Sequence, residues 1–177
     1  MKHANASADT NKIMFYIIGG FTVLIVGVII VFSIFQGKQA SAGSNTVSYS
    51  TSDSERPKVS TPSKFSDLGN MKVEDEKQAE FSIENTGNKP LILSNISSSC
   101  GCTVGKITID GTASPEFGMH SEGTWQGIVE PGKLATLTVI YRPYIMPVSG
   151  VLTRDVYMST NDPENEKLTF TVKANVE

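Results

Sequence analysis

Twenty-three consecutive residues without a charge, Ile13 to Phe35, lie near the start of this 177-residue chain. As a helix the run would rise roughly 34 Å, enough to cross a hydrocarbon core of about 30 Å. Its glycines and β-branched residues weaken a helix in water, but in lipid the backbone must satisfy its own hydrogen bonds, and that requirement outweighs propensity. Lys2 and Lys12 precede the run and only Lys38 follows closely. This bias favours a cytoplasmic segment 1–12, a transmembrane helix 13–35 and an exported remainder. A cleavable signal peptide is the rival, with Ala40-Ser-Ala42 as its processing site. The run exceeds the usual 7–15 residues of a signal core, so an uncleaved signal anchor is the expectation. No ionisable side chain interrupts the run, which leaves it without a proton relay or ion site.

Residues 36–63 are rich in Ser, Thr, Gly and Ala and are interrupted by Pro57 and Pro62. They carry no sustained apolar face and read as a flexible linker. Such a linker has an average reach of about 30 Å and an extended limit near 90 Å. Residues 64–177 then suffice for one hydrophobic core.

That last part alternates with a period of two. Phe81 and Ile83 fall on one side of their strand and Glu80, Ser82 and Glu84 on the other. Leu91 with Leu93, Leu137 with Val139 and Tyr141, Val156 with Met158, and Phe170 with Val172 repeat the pattern. In the run 151–158, Leu152 and Arg154 share the side of Val156 and Met158. Thr86-Gly-Asn-Lys-Pro90, Glu130-Pro-Gly-Lys133 and Asn161-Asp-Pro163 punctuate the strands as turns. The expected fold is all-β, an antiparallel sandwich of seven to eight strands. The stretch 110–129 exceeds a plain hairpin turn. It reads either as an edge insert held by Phe117 and Trp125 or as a flexible binding loop.

From Thr61 onward ten basic residues face fifteen acidic ones, which gives nucleic-acid binding little electrostatic support. The sequence contains no G-x-S-x-G, H-E-x-x-H or phosphate-loop pattern, and His120 is the single histidine after the apolar run. No catalytic residues, cofactor or metal are expected, and the chain is read as a non-enzyme.

The only cysteines lie in Ser97-Ser-Ser-Cys-Gly-Cys-Thr-Val104. On a regular strand Cys100 and Cys102 would share a side with Cα atoms about 6.5–7 Å apart, slightly beyond preferred disulfide geometry. Gly101 offers the backbone freedom for a local bend. Three uses stay open. The pair can shape a strand end as buried thiols or a disulfide, exchange disulfides in an exported compartment, or hold a soft metal such as Cu(I) with Met119 or His120. The first is the expectation.

Five motifs occur in order: Phe65-Ser-Asp-Leu-Gly69, Phe81 to Leu91, Ser99-Cys-Gly-Cys-Thr103, Pro131-Gly-Lys133 with Val139 to Pro143, and Ser159-Thr-Asn-Asp-Pro163. In these the chain resembles the bacterial DUF1573 domains, which are similar to the ASPM/SPD-2/Hydin immunoglobulin-like group. The resemblance implies an immunoglobulin-like fold of seven to eight strands and brings no established reaction. By analogy of fold, the expected role is a binding or scaffolding module of the bacterial cell envelope. The bilayer, through residues 13–35, and other envelope proteins are its expected partners, with no oligomeric state specified. A thiol–disulfide redox protein using Cys100 and Cys102 is the alternative.

Overall fold

The computed structural model describes residues 16, 18–22, 24–25, 48–121 and 123–177, which fall into two separate units. The described residues of the first unit are helical, and Thr22 Oγ1 donates to the carbonyls of Ile18 and Gly19 one turn back. Among the described residues no helix is long and apolar enough to cross a membrane. The expected segment 1–12, most of the expected span 13–35 and the Ala42 processing site lie outside the described residues.

The second unit is a two-sheet sandwich, consistent with an immunoglobulin-like fold. Its strands are β1 (Val59–Ser60), β2 (Phe65–Met71), β3 (Lys77–Asn85), β4 (Leu91–Ser98), β5 (Thr103–Ile109), β6 (Thr112–Ala113), β7 (Gln126–Val129), β8 (Leu134–Tyr141), β9 (Gly150–Thr160) and β10 (Lys167–Val176). One sheet runs β1-β3-β8-β5-β6 and the other β2-β10-β9-β4-β7. Eight strands have four or more residues, and β1 and β6 are two-residue additions. Phe81, Ile83, Leu91, Leu93, Leu137, Val139, Tyr141, Val156, Met158, Phe170 and Val172 are buried as expected, Leu152 and Arg154 on the same side of β9 are half-buried, and the Phe81 and Phe170 rings meet at 5.1 Å. A pleated strand sends alternate side chains to opposite faces, so the two inner faces supply the main core.

Two expectations need correction. The sandwich is not wholly antiparallel, because β2 pairs with β10 in parallel, Thr171 beside Phe65 and Val176 beside Met71. The first long strand and the last run the same way along one sheet edge, and alternation carries no information about direction. The expected linker 36–63 also ends too late. Residues 36–47 lie outside the described residues, but Val59 and Ser60 already pair with Asn85 and Glu84. Pro57 is buried there, and Arg56 donates from its backbone to Asn88 Oδ1 and from its side chain to Glu164. Side-chain contacts made far along the chain order this polar stretch.

Gly87 shows how tightly the lead-in segment is seated. A Cβ at Gly87 would run into the backbone of Arg56, Pro57 and Lys58, so close approach fixes the glycine here. The 110–129 stretch is likewise a packed edge. Phe117 and Gly105 exchange backbone hydrogen bonds, and the Phe117 and Trp125 rings lie 5.3 Å apart. The tip of Trp125 and Ile109 fill the space that a side chain at Gly127 would need.

The chain enters the sandwich at the end where Glu84 faces Leu134. The opposite end gathers Lys77 beside Tyr141, Tyr141 beside Thr103, and Val176 beside both Met71 and Gly150. The two ends are separated by the length of β3, about 27 Å. At the far end Lys77 Nζ donates to the carbonyls of Leu68 and Asn70 on the neighbouring edge strand β2.

Candidate functional site

At the far end the chain turns from β4 in one sheet to β5 in the other through Ser99-Cys-Gly-Cys102. Thr103 donates its N–H to the Cys100 carbonyl at 3.3 Å, closing the turn. The turn shortens the spacing of the two cysteines from the strand value to a Cα–Cα distance of 5.3 Å, and a disulfide joins them. Gly101 does not work as expected. Its backbone is not in the left-handed region, and a Cβ there would meet nothing within 4 Å. The bend therefore needs neither of glycine's usual advantages, and the turn stands open on that side.

Beneath the turn lies a small second core of Met71, Cys100, Cys102, Tyr141, Ala174 and Val176. Cys102 is completely buried, whereas Cys100 sits at the margin of exposure with 9%. Ser98 Oγ donates to the Cys100 carbonyl at 2.8 Å. Thr103 Oγ1 lies 3.4 Å from Cys100 Sγ and 3.9 Å from Cys102 Sγ; disulfide sulfurs carry no proton, so the hydroxyl is the donor.

Arg154 completes the site. Its position on the inward side of β9 was visible in the alternation, but its partner was not. Nε donates to Cys102 Sγ at 3.3 Å, Nη1 donates to the Thr153 carbonyl at 2.9 Å, and the guanidinium carbon stands 5.8 Å from the centroid of the Tyr141 ring. Among the described residues Tyr141 Oη is the buried side-chain polar atom with no hydrogen-bond partner.

Around this corner the surface is apolar and rimmed by acid. The β8–β9 connection exposes Tyr144, Ile145, Met146 and Val148, and Val151 adds to them. Tyr144 Oη lies 3.4 Å from Glu76 Oε2 on the β2–β3 turn, beside exposed Glu74. Arg142 bridges Glu76 at 2.7 Å and holds both oxygens of Glu116 at 2.8 and 3.0 Å. The Arg142 hydrogen bonds hold the Glu116 carboxyl below the usual glutamate range, and those carboxylates raise the guanidinium's own proton affinity. Met119 and His120 fall on the exposed turn after Phe117. Among the described residues no three His, Cys, Asp or Glu side chains converge in a metal-binding group.

Residues 59–117 match the family model described as protein of unknown function (DUF1573), in agreement with the resemblance read from the sequence. The match covers the first three of the five motifs, including the cysteine pair. No curated protein sequence matches the chain. A protein of unknown function from Porphyromonas gingivalis W83 is similar in structure, with 19% identity over 69% of this chain and 48% of that one and a TM-score of 0.51. The chain spans about half the length of that relative, and the likeness is one of fold. The ASH/PapD-like domain 7 of human CEP192 aligns with 14% identity over 74% of this chain and 95% of that one, at a TM-score of 0.42.

Proposed function

We propose that this chain is a membrane-anchored, extracytoplasmic binding or scaffolding module of the bacterial cell envelope, with no catalytic turnover of its own. The single-pass anchor is the uncharged run Ile13–Phe35, and the lysines before it favour a cytoplasmic N-terminus. The observation that carries the binding role is the exposed apolar group Tyr144, Ile145, Met146, Val148 and Val151, at the sandwich end opposite to where the chain enters. Arg142 already pairs with Glu76 and Glu116, which leaves Glu74 and Asp75 as the acidic pair of the β2–β3 turn, so the partner surface is apolar with basic residues opposite that pair.

Photo-cross-linking in intact cells tests this reading. A photoreactive residue at Ile145 is expected to capture an envelope protein, while one at exposed Asn88 near the lead-in segment captures none. The Ile145 adduct should also weaken when Glu74 and Asp75 are both changed to lysine. Equal capture from both ends, or indifference to the charge change, would reject the docking end. Protease treatment of spheroplasts tests orientation: the domain should be digested, and a protected domain would reverse the topology. A second reading, disulfide exchange at Cys100 and Cys102, is favoured by the Arg154 contact.

A further inference from the structure

We propose that the Cys100–Cys102 disulfide is a directional thiol-exchange site, in which a thiolate of an external dithiol attacks Cys100 Sγ and Cys102 Sγ departs toward Arg154. The proposal rests on the disulfide-exchange reading, is independent of the docking end and concerns stoichiometric exchange.

Three observations define the direction, and a fourth bears on whether the fold survives. Cys102 is completely buried and Cys100 reaches the margin of the surface, so an incoming nucleophile meets Cys100 first. Arg154 Nε points its proton at Cys102 Sγ, 3.3 Å away. A neutral disulfide sulfur is a weak acceptor, whereas a thiolate is a strong one. The guanidinium is therefore better matched to the sulfur after the bond opens than before, and a stabilised thiolate is the better leaving group. Gly101, which the turn requires for neither backbone conformation nor space, leaves open the space beside the residue that joins the two cysteines. Finally, the bridge spans a sequence separation of two, and so short a loop adds little to the stability of the fold. The sandwich is thus expected to survive its opening.

The electrons balance as follows. The thiolate's lone pair forms a bond to Cys100 Sγ while the Cys100–Cys102 bond breaks, and that electron pair remains on Cys102 beside Arg154. The second thiol of the dithiol, as its thiolate, then attacks its own sulfur in the mixed disulfide and releases Cys100 as a thiolate. The two protons given up by the dithiol end on the cysteines. The dithiol leaves oxidised by two electrons and the Cys-Gly-Cys pair is reduced. A monothiol has no second thiol of its own to complete the release, so prompt alkylation traps the mixed disulfide before another thiolate resolves it, which makes it the useful probe.

Reduced glutathione is added to the oxidised full-length chain in detergent, free thiols are alkylated, and the peptides are read by mass spectrometry. Glutathione is expected on Cys100 and the alkyl group on Cys102. Arg154→Gln should slow opening about tenfold, with Arg154→Lys restoring most of the rate. Gly101→Val should slow attack while leaving the unfolding transition in place. The wild-type distribution needs no variant, so the test stands even where Arg154→Gln fails to fold. Glutathione shared equally between the cysteines, an unslowed Arg154→Gln, or an unslowed Gly101→Val would each overturn the proposal.

Discussion

Val59 donates its backbone N–H to Asp162 Oδ2 at 3.0 Å, tying the lead-in strand to the β9–β10 turn 103 residues away. Asp162 has no exposed surface, and its carboxylate also accepts from the Glu164 N–H and from Asn165 Nδ2. One side chain thus shapes a turn and holds β1 in place. Asp162→Ala leaves these donors unmatched and should cost about 3 kcal/mol in urea unfolding. The loss should be accompanied by faster amide exchange at Val59.

The inward set carries the fold. Phe81→Ala removes a buried ring from contact with Phe170 and should cost about 3–5 kcal/mol. Leu137→Ala, at a fully buried position of β8, should cost about 2–5 kcal/mol. Equilibrium denaturation of the two variants measures both losses.

Tyr141 makes the opposite prediction. Its hydroxyl is buried without a partner among the described residues, while its ring underlies Arg154. Tyr141→Phe keeps the ring and removes the unmatched hydroxyl, so stability should hold or rise by about 1 kcal/mol. A drop in the melting temperature would show that the hydroxyl is engaged in solution.

Acid should loosen the far end in a defined sense. The folded state depresses Glu116 through its Arg142 hydrogen bonds, so the unfolded chain takes up that proton first as pH falls. The contribution is complete above the ordinary glutamate range and is lost as pH drops through the lower folded-state value. Urea midpoints measured against pH should fall across that acid window, and Glu116→Gln should flatten the decline.

How much of this was legible in the chain follows from what alternation encodes. Phe81, Ile83, Leu137 and Val139 could be assigned to the core because the pleat fixes a period of two whatever the topology. Strand direction leaves no such trace, so the parallel β2–β10 pair could not be read from the sequence. Val59 and Ser60 were hidden in a polar stretch because Asp162, Asn85 and Asn88 order it from a distance. At the cysteines, local neighbours alone offered no activating group, since Arg154 arrives from 52 residues downstream. The signal was a cation on the apolar side of a strand, where a charge needs a partner.

Lys77 has a consequence for how copies of this chain coexist. Sheet margins are templates on which a second chain can add its own strand, the first step toward aggregation. By taking the carbonyls of Leu68 and Asn70, Lys77 withdraws two rungs of that template from β2. The more concentrated the molecules, the more often two such margins meet. A lysine that occupies part of the ladder makes each of those meetings less productive.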